Sequence, residues 1–263
     1  MSSDGLFPPD AVIRQVDGEI ALLLGGGRAL LMQLAHPLVA KGVAEHSGFG
    51  SAPLARLERT LAATYTVVFG PVTEATRAAD SVHAVHEKVV GSGYRASDPD
   101  LLLWVHATLV DTALCIHRRF LRPLSDADAE RYYQESTRVA ELFGLPRSYQ
   151  PEDLAGFREY VRSMVAALAA DLSDESHQMA ETALHPRLPL VMAPLMAGVR
   201  EVTAGLLPGP LREAYRLPWD GCRQVAMEAA SLALRTSLPR VPSILRRFPI
   251  AAVGLRAPRP VAT

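Results

Sequence analysis

An all-α fold is predicted for this sequence by three observations: segments with helical periodicity follow one another almost without pause, alternating β-branched runs are scarce, and helix punctuation recurs. The length of 263 residues, 49% of them hydrophobic, is enough for one large core. The expectation is a single helical-bundle-like domain of about nine helices. We place an N-terminal extension at 1–19, the helical domain at 20–240 and a C-terminal tail at 241–263.

The first helix is expected over 26–45, opened by the glycine run in "LLLGGGRALL". Three glycines suggest a phosphate cradle, but no strand pattern precedes them and Arg28 and Ala29 follow where a phosphate loop carries Lys and a hydroxyl. The run instead lets a helix start close to another backbone or to a flat ligand. Helices over 53–69 and 73–90 end at "FGP" and "GSG", where glycine can take the left-handed conformation. The next, over 99–121, is announced by "SDPDL", and that over 126–143 by Ser125 in "SDADAE" with acids in its first turn. "QPEDL" places Pro151 at the first position of a helix over 151–170, and helices over 173–184, 190–206 and 221–238 complete the set.

Several classes are set aside by composition. With 27 basic against 28 acidic residues, no charge excess points to nucleic acid. Two cysteines, Cys115 and Cys222, make neither a disulfide framework nor a thiolate metal site and fit a reducing, cytoplasmic setting. The acidic, proline-containing start lacks the pattern of an export signal. The apolar runs 30–40 and 188–198 are interrupted and shorter than the roughly 20 residues a membrane span needs, so no transmembrane segment is expected. The tail "RRFPIAAVGLRAPRPVAT" leaves two readings open, a packed tail or a peripheral contact with a membrane surface.

Candidate chemistry centres on "VHAVHEKVVG". Val82, Val85, Val89 and Val90 mark a buried helix side with His86 among them and His83 one turn earlier. A satisfied core histidine is the bland reading of His86. Upstream, Arg56, Arg59 and Thr60 share one helical stripe, which is either a partly buried cationic site or a solvated basic edge. A non-haem metal set of His83, His86 and Glu87 is disfavoured, because Glu87 lies about 100° round the helix from His86.

The succession "RALLMQLAHPLVAKGVAEHSGF", "RLERT", "VFG", "VHAVHEKVVG", "YRASDPDLLLWVHATLVDTAL", "RPLSDADAERYYQE" and "FGLP" resembles the rubber oxygenase and MpaB-type oxygenase catalytic-domain family. The resemblance extends over roughly 20–168. It implies an all-helical domain enclosing a pocket for haem b, an iron cofactor, and an oxidoreductase that uses dioxygen on the double bonds of an apolar, isoprenoid-type substrate. By its valine framing His86 then matches the family's proximal iron ligand, with His83 as the competing assignment. Arg56 and Thr60 match positions beside the haem. Arg59 departs from the pattern, standing where the latex clearing protein has a lysine that can close the sixth iron position; a guanidinium has no lone pair to offer there.

The same resemblance draws in His36, in "LAHPLVA", which either caps the preceding helix or is a propionate or cofactor neighbour, and Glu45 as a base for allylic proton removal, although its spacing to Arg56 does not match cleanly. His106, beside Trp104, is either a pocket-lining cofactor neighbour or a core residue, and His117 is expected at the surface. Two other functions remain: a non-catalytic haem-binding sensor or carrier, and a helical protein of the family without a cofactor.

Overall fold

The computed structural model describes residues 5–46, 53–186, 188–242 and 246–247, and side chains throughout these except at 53–59 and 190. The reading of the tail as packed or membrane-bound lies outside the described residues. Among them are twelve α-helices and one small antiparallel hairpin, β1 (Val90–Gly91) with β2 (Tyr94–Arg95), so the protein is all-α.

The first helix, α1 (Val12–Asp17), falls in the segment expected as an extension. Phe7, Val12, Ile13 and Val16 are all buried in the main core, so burial of this short apolar face ties the N-terminal segment to the domain. A helix of six residues is too short to announce itself by periodicity.

The long helix expected over 26–45 is two helices, α2 (Gly26–Ala35) and α3 (Pro37–His46), bent through 105° at His36. Pro37 has no N–H to donate and disfavours the helical conformation of the residue before it. His36 is accordingly extended, and its carbonyl accepts from Ala40 N at 2.9 Å to start α3. The glycine run serves packing: a Cβ at Gly25 would collide with Thr112, and one at Gly27 with Thr203.

Next come α4 (Pro53–Phe69) and α5 (Val72–Lys88), packed on each other as a hairpin. The core helix is α6 (Pro99–Phe120), capped by Asp98, whose carboxylate accepts from Asp100 N at 3.0 Å. It packs against α2, α7 (Asp126–Leu142), α8 (Leu154–Ala170) and α12 (Gly221–Ser237). Among the described residues α6 is the one unbroken helix long and apolar enough to cross a bilayer, yet Leu101, Trp104, Ala107, Val110, Ile116 and Phe120 are buried against other helices.

The cap expected at Ser125 is present, accepting from Asp128 N at 3.1 Å, and Ser173 caps the helix after α8 by accepting from Ser176 N at 3.1 Å. α8 starts later than Pro151, because Asp153 takes the cap by accepting from Gly156 N at 2.8 Å. The set closes with α9 (Asp174–Leu184), α10 (Ala193–Leu206) and α11 (Gly209–Ala214); a 3-10 turn at Leu190–Met192 occupies the start expected for α10. Cys115 and Cys222 are free thiols.

Candidate functional site

The inward side of α5 is set by Ala75, Ala79, Val82, His86 and Val89, a repeating spacing of four and three residues that keeps one helix face. Ala75 and Ala79 are buried, and Val82, His86 and Val89 are half-buried. Val85 and Val90, expected on that side, are 56% and 43% exposed. The difference is physical: β-branched residues catch the eye in sequence, but α5 approaches its neighbours through two alanines that permit close contact. His83 lies on the outer flank, its Nε2 3.5 Å from Glu87 Oε1 and its ring beside Gly144, the left-handed residue (φ 93°) that follows α7.

Thr60 is half-buried on α4. The side chains of Arg56 and Arg59 lie outside the described residues. What the structure gives for that stripe is its place on the helix paired with α5.

His36 sits at the bend between α2 and α3, near Asp98 and Asp100 at the start of α6. Burial pushes its pKa down against the pull of those carboxylates. Its Nδ1 is buried without a hydrogen-bond partner among the described residues. His106 is pushed down to about 4 by burial, so its imidazole is neutral, and its Nε2 likewise has no partner among them.

His106 lies on a different side of α6 from the one that meets α2. α6 meets α2 through Trp104, whose Nε1 donates to Met32 O at 3.0 Å, and through Thr108, whose Oγ1 accepts from Gln33 Nε2 at 3.1 Å. His106, two residues from each, points about 200° away round the helix. It shares the opposite side of α6 with Leu103, Val110 and Ala113.

Glu45 lies at the end of α3, exposed, where its Oε2 accepts from the buried Tyr94 hydroxyl at 2.6 Å. The His46 Nε2 is 3.9 Å from the same oxygen. Desolvation and the bond to Glu45 push the Tyr94 phenol up to about 12. The β1–β2 hairpin fixes this arrangement, since a Cβ at Gly91 would collide with the Tyr94 ring, and Lys41 Nζ donates to Ser92 O at 3.0 Å.

His117 is not a surface residue: it is 8% exposed, with Nε2 3.5 Å from the Val16 carbonyl. Two further polar clusters escaped the sequence. Arg28 is buried and donates to Asp111 Oδ2 at 2.5 Å, Thr112 Oγ1 at 2.6 Å and the Leu206 carbonyl at 2.9 Å. Asp17 accepts from Tyr132 Oη at 3.1 Å, while Tyr65 Oη donates to its carbonyl at 2.7 Å. An arginine directly after the glycine run was the available signal for the first, whereas nothing local marks the second.

Residues 13–236 match the family described as the catalytic domain of ER-bound oxygenase mpaB/B' and rubber oxygenase. The chain belongs to this family. The match extends well beyond the segment that carried the resemblance in the sequence and includes α1 through most of α12. The chain is also 30% identical over 227 residues to an uncharacterized protein of Mycobacterium tuberculosis and to one of Mycobacterium bovis, covering 81% of this chain and 87% of each relative. No solved structure matches it.

Proposed function

We propose that this oxygenase-family chain binds haem b and acts with dioxygen on an apolar, isoprenoid-type substrate, with His86 as the proximal iron ligand. The observation that supports this choice of ligand is the asymmetry of α5: His86 is on the inward stripe between Val82 and Val89, while His83 is outside and engaged with Glu87. A porphyrin needs a neutral imidazole and dry apolar walls, and the donor chemistry here fits it. Among the described residues no cluster of His, Cys, Asp or Glu offers a competing metal site.

When bound, the haem would supply the iron that activates dioxygen. The protein's own groups do the rest. Thr60, with Arg56 and Arg59 on the same stripe of α4, would hold the haem propionates and polarise dioxygen by hydrogen bonding. Arg59, lacking a lone pair, would not ligate the iron and would act there only as a hydrogen-bond donor. Glu45, whose Oε2 accepts from the Tyr94 hydroxyl, would take the allylic proton of the substrate at a carboxylate oxygen.

A second assignment is supported by His106, whose neutral imidazole and Nε2, unpartnered among the described residues, are what an axial ligand requires. The test is purification from a haem-replete host, reading the Soret band and the pyridine haemochrome of wild type and variants. His86→Ala should lose haem at unchanged helical content, and His83→Ala should keep it. Loss in His106→Ala alone would transfer the role to α6, and a colourless wild type would point to the member without cofactor. Haem retention without turnover of unsaturated isoprenoids would favour the sensor or carrier.

A further inference from the structure

Two features at one end of the molecule have no part in the reaction. The first is charge. Arg118 and Arg119 close α6, Arg122 follows it, and Arg235 of α12 donates to the carbonyls of Arg118 at 3.1 Å and Arg119 at 3.3 Å. Arg246 lies 3.4 Å from Glu19, and Arg247 forms a backbone bridge with Glu19. Arg118, Arg122, Arg235 and Arg247 are exposed. In a chain of net charge −1, this end concentrates six arginines, and among the described residues Glu19 is the only carboxylate ion-paired to any of them.

The second feature is apolar. Directly after Glu19, the 3-10 turn Ile20–Gly25 presents Ile20, Leu23 and Leu24 to solvent. On α12, Leu232 is 62% exposed one turn before Arg235, although Met227 and Ser231 already bury that helix's other side. Large apolar side chains left exposed beside a dense set of cations mark an interaction surface rather than ordinary solvated protein.

We propose that this end docks on a lipid bilayer bearing anionic headgroups. Ile20, Leu23 and Leu24 enter the headgroup region, and the arginines bind lipid phosphates, for which a planar guanidinium is suited. Charge argues against the other occupants. A second copy on a two-fold axis would bring the same arginines face to face, with Glu19 alone to offset them. A nucleic acid would meet the arginines but gain nothing from three exposed aliphatic side chains. The docking does not depend on haem chemistry, so it stands or falls apart from the proposed reaction; if both hold, an apolar substrate can be drawn from the bilayer.

The test is flotation of the full chain with phosphatidylcholine vesicles, with and without phosphatidylglycerol, at low and high salt. Binding is expected only with the anionic lipid and should weaken with salt. Arg118→Gln and Arg122→Gln should each reduce it about fivefold. Leu23→Asp with Leu24→Asp should abolish it at unchanged circular dichroism, whereas Arg158→Gln on the exposed side of α8 should leave it intact. Equal binding to both vesicle types, no binding by wild type, or insensitivity to the arginine variants would overturn the proposal. So would a solution dimer that Leu24→Asp dissociates, with no vesicle binding.

Discussion

α6 and α5 each carry a histidine with a claim on the cofactor, and they are held in opposite ways. α6 is enclosed: it is capped by Asp98, bonded to α2 through Trp104 and Thr108, and buried along most of its length. α5 has no side-chain cap, and its only buried residues are Ala75 and Ala79. It reaches the rest of the domain largely through its partner α4, which is tied down by Tyr65 donating to the Asp17 carbonyl and by Arg14 donating to the Val68 carbonyl at 3.0 Å. Stability therefore resides in α6, while the histidine favoured as ligand rides on a hairpin attached along one edge. A helix with little packing of its own can settle around a porphyrin without disturbing the core.

The largest effect expected from this contrast is on α6. Trp104→Ala removes a fully buried indole and should cost about 3–5 kcal/mol, with a further loss because the Met32 carbonyl forfeits its donor. Val82→Ala on α5 should cost about 1 kcal/mol or less. Urea unfolding of the haem-free chain measures both. Equal costs would mean that α5 is as firmly built in as α6.

A smaller effect is expected at the anchor of the hairpin. Burial, with Glu135 nearby and partly offset by the Tyr132 hydrogen bond, raises the Asp17 carboxyl from 3.8 to about 7. The folded chain thus holds a proton that the unfolded chain has released between about pH 4 and pH 7. Stability should fall as pH rises through that window and level off above it. Asp17→Asn keeps an acceptor for Tyr132 and removes the ionisation. The variant should match wild type near pH 4 and exceed it above pH 7. Each tenfold difference in proton affinity between the folded and unfolded chains contributes about 1.4 kcal/mol to that gap. Unfolding midpoints across the window that run parallel for the two proteins would show that Asp17 is not held in its neutral form.

How much of this was legible in the sequence depends on the distance over which each feature is written. Caps are local, so Ser125 and the start at Pro99 were readable, and α4 has the expected bounds. The bend at His36 was also local, written in Pro37, but helical periodicity on both sides of it masked the break. Arg28 with Asp111, Glu45 with Tyr94 and Asp17 with Tyr132 are separated by 83, 49 and 115 positions, and no periodicity links such pairs before the helices are packed. The face of α5 failed for a different reason. Alanines define it together with Val82 and Val89, and alanine carries too little apolar weight in a sequence pattern to displace Val85 and Val90.

That failure frames the smallest effect expected. Val85→Ser replaces an exposed side chain on the outer flank of α5, so stability should stay within about 0.5 kcal/mol of wild type and haem retention should be unchanged. The inward stripe predicts the opposite for Ala79→Leu, where a larger side chain must push α5 away from its neighbours at a cost of about 1–3 kcal/mol. The pair decides the rotation of the helix independently of any histidine variant. If Val85→Ser destabilised the chain and Ala79→Leu did not, the side marked by the valines would face inward. The stripe of Ala75, Ala79, Val82, His86 and Val89 would then not be the inward one, and the assignment of His86 as iron ligand would rest on its valine framing alone.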